Sequence, residues 1–133
     1  GEEFYWEDDP WYEDDRGRVT KVIVDEGVTS VGEYAFQDET NLTSVTLSST
    51  LIKIDVAAFA GCSNLTSIVL PDNVQMIGSS AFNGCSKLAT VKFPANLTEI
   101  GSRAFVNCKS LKTLDFPNGL KKIGESAFNF QFG

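Results

Sequence analysis

A period of 23 residues constrains the fold of this chain more than any other sequence feature. Phenylalanine returns at this interval and alanine precedes it each time, at Ala35-Phe36, Ala58-Phe59, Ala81-Phe82, Ala104-Phe105 and Ala127-Phe128. The pair Ile-Gly recurs in the same register, at Ile77-Gly78, Ile100-Gly101 and Ile123-Gly124. Self-similarity at a fixed period of about 20–50 residues is typical of a solenoid, in which each repeat forms one coil and stacks on the next. We therefore predict one domain with a continuous core.

The first part of each repeat predicts a short β-strand. In one well-defined repeat, apolar and polar residues alternate, which is the pattern of a half-buried strand. Ile68 and Leu70 are expected to face the core, whereas Ser67 and Val69 are expected to face solvent. Pro71 follows them, and proline ends a strand because it has no N–H group for the ladder.

The second part of each repeat predicts a single helical turn. Ser79 provides a residue suited to the start of a helix, and Gly84 provides one suited to its end. The small Ala81 lets the turn lie close to the core, into which Phe82 is expected to point. The glycine after each isoleucine allows the backbone to bend or to approach a neighbouring coil closely.

The acidic residues are concentrated at the start of the chain. The net charge is −7, and eight of the 18 acidic residues lie in residues 1–15. The other ten acidic residues are balanced by all 11 basic residues. This acidity argues against binding to nucleic acid or to anionic lipid.

Residues 1–18 do not match the repeat, and they combine acids with Phe4, Tyr5, Trp6, Trp11 and Tyr12. We predict that this segment caps the first coil, which would otherwise expose its apolar end. Residues 19–133 then form about four and a half repeats. The last repeat stops in mid-coil, where Phe130 and Phe132 either cap it or mark the chain as a piece of a longer array.

Three cysteines occupy one position of successive repeats, at Cys62, Cys85 and Cys108. Neighbouring coils stack about 4.8 Å apart, a distance that permits a disulfide. The odd number excludes complete pairing, and we favour a column of buried thiols that fill space. Since the chain has no histidine and no Cys-x-x-Cys pair, we predict no zinc site.

The repeat unit reads Cys-Ser-x-Leu-x-x-Val/Ile-x-Leu/Phe-Pro-x-x-Val/Leu-x-x-Ile-Gly-x-x-Ala-Phe. It resembles the BspA-like, or Treponema-type, leucine-rich repeats, and the match covers residues 19–133. The resemblance implies a right-handed α/β solenoid with short parallel strands on the concave face and short helical turns on the convex side. It also implies a secreted or surface-exposed bacterial protein, and some members of the family bind host matrix proteins or promote adhesion. The departures from the pattern are Glu39 and Gln131 in the cysteine column, Ser48 in the proline column and Asp55 in the glycine column.

The chain lacks the residues that common enzymes require. Without histidine it has neither the commonest general base nor the usual partner of a serine or cysteine nucleophile. It also has no G-x-S-x-G, P-loop or dinucleotide-binding motif. The resemblance supplies no catalytic or cofactor-binding residues. We therefore predict a protein that is not an enzyme and that has no catalytic residues, cofactor or metal.

The remaining candidate is recognition by the solvent-facing side of the strands. We predict that two columns and one adjacent lysine form a binding surface: Lys21, Ser44, Ser67, Thr90 and Thr113; Ile23, Thr46, Val69, Lys92 and Asp115; and Lys112. The function expected is adhesion or host-matrix binding to a protein or glycoprotein, with no nucleic acid and no membrane span. The alternative is a structural spacer or self-assembly module of a larger cell-envelope protein.

Charge also changes along the repeats. From Lys87 onward basic residues outnumber acidic ones, whereas the start of the chain is acidic. This gradient gives the hypothesis of weak head-to-tail self-association. Ordinary solvated charge is the alternative interpretation, and we favour it.

Overall fold

The computed structural model describes residues 18–128 as a stack of similar coils that form a right-handed β-solenoid. The strands in this part of the chain are two or three residues long: β1 Lys21–Ile23, β2 Ser30–Val31, β3 Ser44–Thr46, β4 Lys53–Ile54, β5 Ser67–Val69, β6 Met76–Ile77, β7 Thr90–Lys92, β8 Glu99–Ile100 and β9 Lys122–Ile123.

Every strand pair within residues 18–128 is parallel, and each strand pairs with its equivalent one repeat away. Val22 pairs with Val45 across β1 and β3, and Ile54 pairs with Ile77 across β4 and β6. One 23-residue repeat is therefore one turn of the solenoid. The three-residue strands form two sheets, β1-β3 and β5-β7, and the two-residue strands form one five-stranded sheet in the order β2-β4-β6-β8-β9.

The alternating pattern places the strand side chains as predicted. Ile68 and Leu70 are buried at 2% and 1% exposure, whereas Val69 between them is 62% exposed. β5 ends two residues before Pro71, and the N–H of Val74 donates to the Pro71 carbonyl at 3.1 Å. The proline therefore begins the turn that leads from the first strand of the coil toward the second.

The prediction of helical turns is wrong, because no helix forms in residues 18–128. Alternate N–H groups of the turn donate to the next coil, from Ser80 to Ser102, from Phe82 to Ala104 and from Gly84 to Val106, at 2.9, 2.8 and 2.9 Å. Between them, Ala81 donates to the carbonyl of Gly78, three residues back, whereas an α-helix requires four. The φ angle of Ser80 is +57°, a left-handed conformation that a right-handed helix excludes.

A column of stacked phenylalanine rings fills the centre of the solenoid, as predicted. The ring centroids of Phe36, Phe59, Phe82, Phe105 and Phe128 follow one another at 5.5, 5.4, 5.2 and 5.1 Å. The last three of these pairs are within 9° of parallel. Phe93 and Phe116 pack beside the column near its C-terminal end, and Phe93 meets Phe105 edge to face at 5.7 Å.

The glycine after each isoleucine is required by close approach between coils. A Cβ atom on Gly78 would lie 2.8 Å from the carbonyl carbon of Asp55, and one on Gly101 would lie 2.5 Å from the backbone nitrogen of Ser79. Neither glycine has a positive φ angle, so packing and not backbone conformation excludes a side chain here. In contrast, Gly84 at the end of the turn has φ +81°.

The departure from the repeat at Ser48 is matched by polar contacts with the first coil. Ser48 is buried, and its hydroxyl donates to the Val28 carbonyl at 3.1 Å. The next residue, Ser49, donates its backbone N–H to Glu26 at 2.9 Å and its hydroxyl to the same carboxylate at 2.5 Å. These bonds hold the pKa of Glu26 below its ordinary value.

Two further predictions lie outside the described residues. These are the cap formed by residues 1–18, of which only Arg18 is described, and the cap formed by Phe130 and Phe132. The Gln131 departure lies outside them as well. The domain boundary at residue 19 stays a prediction.

Candidate interaction surface

The residues predicted for binding form two exposed rows on one side of the solenoid. We call this surface the strand face; it consists of Lys21, Ile23, Ser44, Thr46, Ser67, Val69, Thr90, Lys92, Lys112, Thr113 and Asp115, all of which are exposed. Backbone pairing joins β1 to β3 and β5 to β7, which sets Lys21 beside Ser44 and Val69 beside Lys92, whereas residues 112–115 form no strand. Their exposure, and the pairing of β1 with β3 and of β5 with β7, agree with the sequence prediction. The strand expected at Thr113 and Asp115 does not form, and the role of these residues in binding stays a prediction.

The chemistry of the strand face changes along the solenoid. The first row consists mainly of serine and threonine hydroxyls. The second row begins with apolar side chains, since Ile23 and Val69 are 48% and 62% exposed. It ends with the charged residues Lys92 and Asp115. A ligand along this face would meet one charged residue, Lys21, among the apolar and hydroxyl groups of the first three coils, and three charged residues in the next two, Lys92, Lys112 and Asp115.

Positive charge collects on the C-terminal coils. Residues 18–86 contain Arg18, Lys21 and Lys53 against seven acidic residues, whereas residues 87–128 contain seven basic residues against Glu99, Asp115 and Glu125. All seven of those basic side chains are exposed. Within the described part of the chain, the only ion pair that involves one of them joins Lys122 to Glu99 at 3.9 Å.

Two lysines that we did not predict as binding residues lie beside the strand face. The Ser110 hydroxyl donates to the Ser86 carbonyl at 2.9 Å, which places the segment that contains Lys109 next to the one that contains Lys87. Both segments lead directly into strand-face positions of their coils. The 23-residue period could have predicted that Lys87 and Lys109 lie in neighbouring segments, because it aligns residue 109 with 86 and residue 110 with 87.

The cysteine column is buried and unlinked, in agreement with the prediction of space-filling thiols. Each thiol donates to the carbonyl of a phenylalanine one coil back, Cys62 to Phe36 and Cys85 to Phe59, both at 3.2 Å, and Cys108 to Phe82 at 3.1 Å. Burial raises the pKa of Cys62 and of Cys108 to about 12, and it raises the pKa of Cys85 as well. The thiols therefore stay protonated and unreactive at neutral pH.

Residues 18–128 contain no group of three or more side chains that could hold a metal ion. Over the same residues, no helix has the length and apolar character that a membrane span requires.

The repeat identifies the family. The sequence model of the BspA type leucine rich repeat region matches residues 13–131 in six copies. The chain belongs to this family. The resemblance inferred from the Ala-Phe and Ile-Gly columns is therefore confirmed. No curated protein is significantly similar in sequence.

Several solved bacterial structures share the fold. A leucine rich cell surface protein from Faecalibacterium prausnitzii is 28% identical, with a TM-score of 0.74 over 84% of this chain and 31% of its own. The pneumococcal vaccine antigen PcpA is 25% identical, with a TM-score of 0.68 over 82% of this chain and 27% of its own. A leucine rich repeat protein from T. pallidum is 23% identical, with a TM-score of 0.59 over 82% of this chain and 62% of its own, and this likeness concerns the fold alone. The chain thus spans less than a third of the length of each of the first two proteins.

Proposed function

We propose that this chain is a non-enzymatic interaction module at a bacterial cell surface, and that the strand face binds a protein or glycoprotein in adhesion or host-matrix attachment. The observation that supports this most is the arrangement of the strand face. Backbone pairing fixes the register of its side chains on β1 and β3 and on β5 and β7, and the buried core lies beneath them. A rigid row of varied side chains is the kind of surface that repeat proteins use to bind partners.

The relatives support the proposed location. One is described as a cell surface protein and another as a vaccine antigen, which is a property typical of an exposed protein. By analogy we place this chain at the cell surface or among secreted proteins. The absence of histidine agrees with a binding function, since acid–base catalysis most often depends on that residue.

A structural spacer is the second candidate function. The chain corresponds to only 31% and 27% of the two longer bacterial proteins, so a module of this kind is found within larger surface chains. In that case the stacked coils would hold other domains away from the cell, and the strand face would bind no ligand by itself.

Biolayer interferometry distinguishes the two functions. The purified chain is tested against immobilised fibronectin, fibrinogen, laminin and mucin glycans. The adhesion proposal predicts saturable binding to at least one of them. The spacer alternative predicts none, and absence of binding to the whole panel would overturn adhesion through these ligand classes.

A pair of matched variants locates the binding surface. Val69→Glu adds a carboxylate to the strand face, and Gln75→Glu adds one at an exposed position in the same coil but beside the other sheet. We expect Val69→Glu to weaken binding by about tenfold, which is a typical loss at a contact residue, and Gln75→Glu to leave it unchanged. Equal effects of both substitutions would move the site away from the strand face.

A further inference from the structure

We propose that four exposed lysines at the C-terminal end of the strand face form a binding site for a sulfated polysaccharide. The site, which we call the lysine patch, consists of Lys87, Lys92, Lys109 and Lys112. This inference rests on the proposed binding function and names one class of ligand for it.

The solenoid brings these lysines together from two successive coils. Lys87 and Lys109 precede the strand-face positions of their coils, and the bond between Ser110 and Ser86 places those segments side by side. Lys112 stands one residue before Thr113, and Lys92 ends β7. Lys87 and Lys92 therefore flank Thr90 in one coil, and Lys109 and Lys112 precede Thr113 in the next.

The patch keeps its positive charge available to a ligand. All four side chains are exposed, and within residues 18–128 none of them forms an ion pair with a carboxylate. The Lys87 ammonium donates to the neutral side-chain oxygen of Asn64, one coil back, at 2.8 Å, and this bond does not neutralise its charge. Asp115, one repeat after Lys92, is the acidic residue of the strand face, so lysines outnumber carboxylates there.

The types of side chain favour a polysaccharide over other polyanions. Single-stranded nucleic acid binds with its bases stacked on aromatic rings, and Tyr34, the exposed aromatic residue of the described chain, lies in a different column. A membrane surface requires several apolar anchors, whereas Val69 alone adjoins the patch, next to Lys92. Lysines interspersed with hydroxyls match a chain that bears both sulfates and sugar hydroxyls, and lysine binds such anions as a point charge.

Isothermal titration with a heparin oligosaccharide tests the proposal. Lys92→Ala/Lys112→Ala removes two charges from the patch. The control Lys121→Ala/Lys122→Ala removes two charges from the same half of the chain, next to and within β9. We expect binding that weakens steeply with salt, a loss of about tenfold or more in the patch variant, and less than about twofold in the control. Circular dichroism spectra confirm that both variants are folded.

Three results would overturn the lysine patch. The first is absence of heparin binding by the unmodified chain. The second is an equal loss in both double variants, which would indicate attraction by overall charge. The third is tighter binding to single-stranded DNA or to phosphatidylserine vesicles than to heparin, which would assign another ligand class. A chain that binds the matrix proteins but not heparin retains the proposed function and loses only this inference, whereas a chain that binds neither loses both.

Discussion

Two kinds of column run along the solenoid, one in the interior and one on the strand face. In the interior, phenylalanine occupies the same position in five successive coils, with ring centroids 5.1–5.5 Å apart. On the strand face, the column that starts at Ile23 continues with Thr46, Val69, Lys92 and Asp115. Each interior residue packs against its own copies in the coils before and after it, so one residue type suits every position. The exposed residues contact solvent and are free to differ.

This difference separates the residues that determine stability from those available for recognition. A change in an interior column leaves two neighbouring coils without a well-packed contact, and in a repeat protein stability depends on such contacts between neighbours. A change in an exposed column leaves the fold intact and alters the surface that a ligand meets. The predictions below test whether the two kinds of column are as distinct as the structure indicates.

The largest effect is expected for Phe82→Ala. Phe82 is fully buried and stacks on Phe59 and Phe105 at 5.4 and 5.2 Å. Its truncation removes both ring contacts and leaves a cavity in the middle of the column. We expect the free energy of unfolding to fall by about 3–5 kcal/mol, measured by urea denaturation followed by circular dichroism.

Val69→Thr is the matched change on the strand face. It keeps a β-branched side chain at a position that is 62% exposed, and we expect a stability change within about 0.5 kcal/mol. If Phe82→Ala has an equally small effect, the phenylalanine column is not the main source of stability. If Val69→Thr has a large effect, the two kinds of column are not distinct.

A smaller loss is expected when the close approach between coils is blocked. In Gly101→Ala the new Cβ would lie 2.5 Å from the backbone nitrogen of Ser79, so the coils must move apart. We expect a loss of about 1–3 kcal/mol in the same denaturation experiment. Gly119→Ala is the control, because a Cβ at Gly119 would meet no atom within 4 Å. Its stability should stay the same or rise by up to about 1 kcal/mol. Equal losses in both variants would contradict the close-packing explanation.

The interior could be predicted from sequence because its residues repeat. The 23-residue period predicted the length of each coil, and the alternation around Ile68 predicted which strand side chains face the core. The Ala-Phe pairs predicted the column of phenylalanine rings. The second sheet was missed because its strands have only two residues, such as Met76–Ile77, and so show no alternation.

The helical turn was predicted wrongly because Ser79-Ser80-Ala81 resembles the start of a helix. In the folded chain, hydrogen bonds to the neighbouring coil replace helical hydrogen bonds. The position of Ser80 has a left-handed backbone conformation in five repeats, and none of its residues is glycine: Tyr34, Ala57, Ser80, Arg103 and Ser126. For the surface, the register gave the positions of the strand-face residues, but their ligand depends on variable side chains that follow no repeat.

A second comparison concerns the turn that follows the three-residue strand of each coil. This turn has different residues in the first coils and in the later coils. In later coils the turn begins at Pro71, Pro94 or Pro117. In the coil before these, Ser48 occupies the proline position, and the carboxylate of Glu26 in the first coil accepts two hydrogen bonds from Ser49. Proline acts by restricting φ, independently of pH. The contact between the first two coils instead includes an exposed, ionised carboxylate, and this contact should therefore weaken in acid.

The smallest predicted effect follows from this pH dependence. Because the two bonds from Ser49 hold the pKa of Glu26 below its ordinary value of 4.5, ionised Glu26 stabilises the folded state. This contribution is fully present above pH 4.5, and it is lost as the pH falls through the lower pKa of the folded state. Glu26→Gln should thus reduce stability at neutral pH, and the difference from the unmodified chain should shrink toward zero as the solution is acidified.

Urea denaturation at a series of pH values measures this difference in stability. Glu33→Gln is the control, because it removes the same charge from another exposed position. A stability difference for Glu26→Gln that is constant with pH, or that matches the one for Glu33→Gln at every pH, would mean that the carboxylate adds nothing specific to the contact between the first two coils.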